Sequence, residues 1–214
     1  MPLHIYKNAK GNRIPGVTTV IGGNLGWNKQ QLMWWAWNEG INGRQFRETS
    51  QHAADIGTIA HAMVEHELKG TDWRVAVDLR TVTDEMVEKA MNAYKAWKEW
   101  AQLVDFKLMK SEVSLVSERY QFGGTIDLAL VKNRSTITDI KTSNGVYPDH
   151  KIQIAAYGVL WNENFPDEQV NDYYLLRLDK KDGGFAYYYW PDMSDAWRAF
   201  EYLLGLHGLK KQIA

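Results

Sequence analysis

Residues 123–143 read GGTIDLALVKNRSTITDIKTS, two apolar, β-branched runs joined by a short polar turn. Runs of this kind predict two neighbouring strands. Each run carries one aspartate, Asp127 in the first and Asp139 in the second. If the strands pair around the turn at Asn133–Arg134, the two carboxylates come within several Å of each other. At ~4 Å their repulsion is roughly 4 kcal/mol for an effective dielectric of 20.

This repulsion needs compensation. Side chains alternate along a strand, so Lys141 shares a face with Asp139 while Ile140 points to the other face. Lys141 offsets one charge, and the other requires a hydrogen-bond network, a raised pKa or a cation. Two carboxylates with room for water and a phosphate fit Mg²⁺ better than a closed zinc site. A lysine beside such an ion can position water or stabilise a phosphoryl transition state.

A structural alternative stays open at this point: an Asp–Lys salt bridge at exposed strand ends, with Asp127 only beginning a turn. Gly123 and Gly124 favour a functional site, because glycine lets a backbone or a ligand approach closely. The same pair also fits a β-bulge.

The rest of the chain predicts an α/β fold with a central mixed β-sheet flanked by helices. We expect a single domain in three parts: an N-terminal hairpin over 1–22, a helical part over 27–105, and a sheet-rich core with a C-terminal helix over 106–214.

Two further pairs have helical spacing. His61 and Glu65 are four residues apart, as are Gln153 and Tyr157, so each pair shares a helix face. A half-buried histidine and a surface pair are the structural alternatives. A zinc-peptidase site at His61 and His66 is rejected, because five residues of helix place the two rings roughly 140° apart.

Composition excludes several classes of protein. The chain has no cysteine, which rules out disulfides, thiolate zinc sites, cysteine-ligated iron–sulfur clusters and a cysteine nucleophile. A net charge of −1 means that any nucleic-acid contact depends on a local patch. The sequence shows no signal-like or membrane-spanning stretch, so we expect a soluble, intracellular protein.

Four motifs occur in order: G-T-x-x-H at 57–61, G-x-x-D at 124–127, D-I-K at 139–141 and Q-x-x-x-Y at 153–157. Together they resemble the RecB-type branch of the PD-(D/E)xK nucleases, which have a restriction-endonuclease-like core. VTTVIG and the tryptophan-containing helix before His61 are also similar to compact phage-type and mitochondrial-maintenance exonucleases of that branch.

The resemblance implies roles for individual residues. Asp127 and Asp139 become metal carboxylates, the carbonyl of Ile140 a further ligand, His61 a ligand or near-ligand, and Lys141 the catalytic lysine.

The same resemblance places Gln153 and Tyr157 beside the catalytic lysine or the DNA backbone. Glu112 joins the acidic cluster, although Glu118 is also available. Ile126 stands where the family's proline would precede the aspartate, a common variation in this branch. Relatives that clamp an iron–sulfur cluster need four cysteines, and the absence of these and of a helicase segment indicates a stand-alone nuclease.

The resulting expectation is a Mg²⁺- or Mn²⁺-dependent DNA exonuclease, using one or two ions, in replication, recombination or repair. The partner is DNA, single-stranded or at duplex ends, with no membrane, and with a homo-oligomer or a replication or recombination protein as further partners. The expected location is the cytoplasm of a bacterial or phage-infected cell. The alternatives are a non-catalytic DNA-binding or assembly module, a structure-specific endonuclease, an RNA nuclease and a metal-dependent phosphatase.

Substrate contacts are predicted from charge and aromaticity. Phosphates would meet basic residues, and unpaired bases would stack on tryptophan. Packing in the core is the alternative for the tryptophans, and their density predicts that at least two face inward. The residues concerned are Lys29, Arg44, Arg47 and Lys151 for the phosphates, and Trp34, Trp35 and Trp37 for the bases.

Overall fold

The structure, a computed structural model, describes residues 4–27, 29–131 and 134–213. Within them, a five-stranded mixed sheet with the strand order β3-β4-β5-β6-β7 is flanked by six α-helices, which confirms the α/β prediction. A separate two-stranded ribbon, β1-β2, lies near the N-terminus. The strands are β1 Tyr6–Lys7, β2 Arg13–Ile14, β3 Lys107–Ser117, β4 Phe122–Val131, β5 Ser135–Lys141, β6 Asp172–Leu178 and β7 Phe185–Trp190, and the helices are α1 Val17–Asn24, α2 Lys29–Ile41, α3 Phe46–Lys69, α4 Asp84–Leu103, α5 Pro148–Asn164 and α6 Ser194–Ile213.

The connections follow from short turns and one crossover. β3, β4 and β5 form an antiparallel meander, α5 then carries the chain back so that β6 lies parallel to β5, and β7 returns antiparallel to β6. The turn expected at Asn133–Arg134 begins outside the described residues.

Each face of the sheet has its own apolar core. α1, α5 and α6 cover one face, where Phe122, Ile137 and Phe200 are fully buried. α3 and α4 cover the other face, where Trp97 and Trp100 pack on the sheet. The crossover helix and the histidine-bearing helix therefore lie on opposite sides of β4 and β5.

The N-terminal hairpin is shorter than the sequence predicts. β1 and β2 do pair, with Tyr6 opposite Ile14, but a helix begins at Val17 and replaces the end of the expected 1–22 hairpin. Residues 1–3 of that hairpin lie outside the described part of the chain. Val17, Val20 and Ile21 are buried at helical spacing, so burial of one helix face outweighs the β-propensity of the segment.

The alternation of side chains between the two faces of the sheet is interrupted in β3 and β4 at the same level. Ile126 packs with α5, whereas Leu128 packs with α3 and α4, although strict alternation would place both on one face. On β3, Ser111 pairs with Leu128 and Val113 with Ile126, and Glu112 between them has a φ of +49°. A left-handed backbone is unusual for a residue other than glycine, so strain is concentrated at this position.

The glycine pair in β4 makes room for two aromatic rings. A Cβ on Gly123 would lie 2.4 Å from Cγ of Tyr6. A Cβ on Gly124 would lie 2.7 Å from Cε1 of Tyr157. Side chains from the N-terminal ribbon and from α5 thus rest directly on the backbone that leads to Asp127, and the β-bulge interpretation is not needed.

None of the helices in the described ranges is both long and apolar enough to cross a membrane.

The backbone at Glu112 predicts an unusual order of stabilities. We expect Glu112→Gly to be more stable than Glu112→Val by about 1–2 kcal/mol, because valine is strained at positive φ whereas glycine is not. Both substitutions remove the carboxylate, so urea unfolding without divalent metal isolates the backbone effect. A valine variant as stable as the glycine variant would contradict this geometry, since β-propensity alone favours valine in a strand.

The contact between Gly124 and Tyr157 predicts a cost of overpacking. Gly124→Ala should lower the free energy of unfolding by about 1–3 kcal/mol, because the new methyl group displaces the Tyr157 ring or the strand. The matched control is Gly22→Ala in α1, where a Cβ would meet nothing within 4 Å. That control should leave stability unchanged or raise it by up to about 1 kcal/mol, as judged by urea unfolding. Equal effects of the two substitutions would refute the close approach.

Candidate active site

The site lies in a fork where two strands separate. β4 pairs with β3 along its whole length, but with β5 only from Leu128 onward. Just beyond that point the Asp127 carboxylate takes the place of the ladder, since the Ile140 N–H donates to Asp127 Oδ2 at 2.7 Å. The fork therefore fixes both the carboxylate of β4 and the backbone of β5.

Three side chains from three elements converge at this fork. His61 Nδ1 lies 3.8 Å from Asp127 Oδ2 and 3.9 Å from Glu112 Oε1. These distances are too long for hydrogen bonds, and the buried Nδ1 has no hydrogen-bond partner in the described part of the chain. One potential ligand atom of each residue lies within 4.8 Å of the others.

Asp139 and Lys141 form the second half of the site. Lys141 Nζ lies 2.6 Å from Asp139 Oδ2, and Asp139 is almost fully buried. Oδ1 of Asp139 accepts no hydrogen bond from any described residue. Asp139 does not belong to the group formed by His61, Glu112 and Asp127, so only one of the two predicted metal carboxylates is a member of that group.

Burial and the charges of neighbouring groups shift the pKa values of Asp127, Asp139 and His61. Burial raises the pKa of Asp127, and the negative charge of Glu112 raises it further. Burial also raises the pKa of Asp139, against the opposing effect of Lys141. Burial lowers the pKa of His61, but the negative charges of Asp127 and Glu112 outweigh burial and raise it to about 9.

The charges of the two aspartates also shift the pKa values of Lys141 and Tyr157. Burial lowers the pKa of Lys141, but Asp139 and Asp127 outweigh it, so the pKa is raised and the ammonium form is favoured. Burial raises the pKa of Tyr157 well above its usual value, and the nearby aspartates add to the rise. Gln153 Nε2 donates to the Tyr157 hydroxyl at 2.7 Å, as their helical spacing suggests.

A cleft of 640 Å³ opens onto this site. His61, Glu112, Asp127, Lys141 and Gln153 line it, together with Tyr157. Glu118, the alternative to Glu112, instead accepts from the N–H of Ala9.

The cleft also has polar walls that the sequence did not reveal. The Tyr6 hydroxyl lies 2.9 Å from Thr125 Oγ1, and both residues line the cleft. Arg13, Thr18 and Thr19 line it as well. Thr18 and Thr19 belong to VTTVIG, which is assigned from sequence to the N-terminal hairpin and is similar to compact exonucleases, whereas Arg13 carries no sequence signal for the site.

The predicted substrate-binding residues are not among those that line the cleft. Lys29 and Arg47 are exposed, and Lys151 Nζ lies 5.9 Å from the centre of the Trp190 ring. Arg44 donates through Nε and Nη2 to Glu39, each at 2.8 Å, so its guanidinium is already engaged.

The exposure of the tryptophans of α2 contradicts one prediction. Trp34 and Trp37 are 66% and 60% exposed, and only Trp35 is half-buried, against Phe46. The expectation that at least two of them face inward is wrong. Glu39 is the buried residue of α2, held by Arg44 and Thr49, so a polar contact anchors this helix in place of an apolar face.

The donor set fits a divalent cation. An imidazole nitrogen and two carboxylate oxygens lie within 4.8 Å of one another. The His61 nitrogen has no hydrogen-bond partner among the described residues, and buried polar atoms without partners are rare in proteins. Adjacent ligands of one Mg²⁺ lie about 3 Å apart and opposite ligands about 4.2 Å apart, so the three atoms would close in around a bound ion. A cation would also relieve the repulsion that raises the pKa values of Asp127 and Asp139.

Comparisons with known proteins agree with the fold. The profile of the PD-(D/E)XK nuclease superfamily matches residues 34–203. No curated protein is significantly similar in sequence. A putative exonuclease from Eubacterium rectale has 13% identity and a TM-score of 0.50 over 76% of this chain and 68% of its own. An alkaline exonuclease, LHK-Exo, from Laribacter hongkongensis has 13% identity and a TM-score of 0.44 over 75% of this chain and 88% of its own. The family match spans most of the chain, including the fork and its lysine, and the chain therefore belongs to the PD-(D/E)XK nuclease superfamily.

Proposed function

We propose that the chain is a Mg²⁺- or Mn²⁺-dependent deoxyribonuclease, and more specifically an exonuclease. The observation that supports this most strongly is the convergence of His61, Glu112 and Asp127 beside the Lys141–Asp139 pair in one cleft. A protein that only binds DNA would gain nothing from a buried cluster of carboxylates that repel one another. The Eubacterium rectale protein of similar fold is a putative exonuclease, which supports the finer assignment.

The cation would be held by His61, Glu112 and Asp127, whose candidate ligand atoms lie within 4.8 Å of one another. The family resemblance adds Asp139 and the Ile140 carbonyl. The hydrogen bond from the Ile140 N–H to Asp127 holds the backbone of β5 beside the site. When bound, a divalent cation polarises the phosphate and lowers the pKa of a coordinated water.

The remaining chemistry belongs to the chain's own side chains. Lys141 stays cationic beside Asp139, so it can donate a hydrogen bond to a phosphate oxygen on which negative charge develops. Asp139 orients the ammonium group. Gln153 and the neutral Tyr157 hydroxyl line the same cleft and can hold the backbone of the bound strand.

Contacts with the rest of the DNA lie outside the cleft. The exposed rings of Trp34 and Trp37 suit stacking on unpaired bases, and the half-buried Trp35 lies on the same helix. Lys29, Arg47 and Lys151 are candidates for phosphate contacts, whereas Arg44 would first have to leave Glu39. Phosphate contacts would make binding fall steeply with added salt.

Lys141→Ala should reduce kcat by at least about 100-fold, since it removes a hydrogen-bond donor at the developing charge. DNA affinity should change by less than about threefold, because most binding energy comes from contacts with the DNA backbone elsewhere. The measurement is degradation of matched linear and closed-circular DNA, single- and double-stranded, with Mg²⁺, Mn²⁺ or EDTA.

The matched control is Lys107→Ala, which removes an exposed lysine at the start of β3. Loss of linear DNA alone, in a metal-dependent way and only with an intact Lys141, is the expected result. Cleavage of circles would replace the exonuclease with an endonuclease, and near-full activity of Lys141→Ala would refute its role. Cleavage of RNA but not DNA in a parallel panel would change the substrate class.

Metal affinity should rise with pH. The pKa of His61 is about 9, so its ring is protonated at neutral pH and a cation must displace that proton. Displacement of one proton weakens the apparent affinity by about tenfold for each pH unit below that pKa. Titration calorimetry with Mn²⁺ between about pH 6.5 and 8.5 measures the slope.

In the same titration His61→Asn should bind Mn²⁺ more weakly but with a flatter pH dependence. An equal slope in both proteins would show that His61 is not the group that exchanges its proton for the metal.

A further inference from the structure

The terminal helix α6 uses one face to complete the core. Ala196 and Phe200 are buried against the sheet and its covering helices, and Leu203 and Leu204 are partly buried beside them. This face faces α1 and α5. The apolar residues on the other side of α6 are not needed to hold the helix in place.

That other side carries a continuous apolar stripe. Tyr202 is 73% exposed, Leu206 49%, Leu209 50% and Ile213 80%. Their spacing of four, three and four residues is the spacing of positions that face a partner helix in a coiled coil. The stripe is about 16 Å long at 1.5 Å per residue. Monomeric proteins seldom expose a patch of this kind.

Gly205 borders the stripe, although packing within the chain does not require a glycine there. A Cβ on Gly205 would meet nothing within 4 Å, so packing inside the chain does not require glycine. Glycine inside a helix costs about 1 kcal/mol relative to alanine. Next to Leu206 and Leu209, the missing side chain leaves a shallow depression in the helix surface, which lets a second helix approach closely.

The charges along α6 favour a second copy of the same helix in the opposite direction. Glu201 lies toward the N-terminal end of the stripe and Lys210 toward its C-terminal end, and Asp195 further upstream pairs with Arg198. Antiparallel packing brings the acidic end of one copy toward the basic end of the other, whereas parallel packing would align the two acidic ends and the two basic ends. Antiparallel helix dipoles add to this preference.

We propose that the Tyr202–Ile213 stripe is a dimer interface in which α6 pairs antiparallel with α6 of a second copy. Leu206 of one copy packs against Leu209 of the other, and Tyr202 packs against Ile213. The contact is isologous, so it closes with two copies. Four side chains bury less than the roughly 800 Å² per partner of a stable interface, so the dimer is reversible, with micromolar affinity.

Analytical ultracentrifugation from about 1 to 100 μM tests the interface. Wild type should reach twice the chain mass, and Leu206→Glu/Leu209→Glu should stay at the mass of one chain because charge is buried without a partner. The control is Val75→Glu, a charge placed on a residue that is 78% exposed outside α6, and it should dimerise like wild type. Circular dichroism and thermal unfolding establish that each variant is folded.

The absence of cysteine allows a test of orientation. Tyr202→Cys/Ile213→Cys should oxidise to a covalent dimer, whereas Ile213→Cys alone should not, because only antiparallel packing brings positions 202 and 213 together. Monomeric wild type at the highest concentration, a trimer, dissociation of the Val75→Glu control, persistence of the dimer in the double glutamate variant, or efficient cross-linking of Ile213→Cys alone would each overturn the proposal.

Discussion

Repulsion among the carboxylates of the β4–β5 fork is the constraint on which the arrangement of the site depends. Glu112, Asp127 and Asp139 come from three adjacent strands, and burial and mutual repulsion raise the pKa values of the two aspartates. The fold compensates with the backbone N–H of Ile140, the ammonium group of Lys141 and the protonated ring of His61. This compensation is incomplete, since buried polar atoms of His61 and Asp139 have no hydrogen-bond partners in the described ranges. The proposed cation is what would complete it.

The surrounding framework holds these groups in place at some cost to itself. Glu112 has a left-handed backbone in the middle of a strand, at the level where β3 and β4 change faces. Tyr6 and Tyr157 rest on backbone that has no side chains, which fixes both walls of the cleft. His61 extends from α3, which covers the face of the sheet opposite α5. Strain and close packing of this kind are typical of functional sites, where geometry is maintained at the expense of stability.

Sequence reasoning succeeded where the signal was local. The strands β4 and β5, the Asp139–Lys141 pair and the Gln153–Tyr157 contact all follow from alternation or helical spacing, and the structure contains each of them. It failed where distant parts of the chain decide. α1 is a helix because its apolar side chains meet the core of α5 and α6, and β-propensity could not reveal that. The face change at Glu112, the role of Tyr6 in the cleft wall and the exposure of Trp34 likewise depend on contacts between elements.

The most direct test of the central claim is anomalous diffraction from crystals grown with Mn²⁺. We expect one strong peak between His61 Nδ1 and the carboxylates of Glu112 and Asp127, at about 2.0–2.2 Å from its ligands. A second peak toward Asp139 would also agree, since one or two ions are expected. A fork with no peak at saturating Mn²⁺, or a peak only at surface carboxylates, would contradict the account and show that the acids are gathered there for another reason.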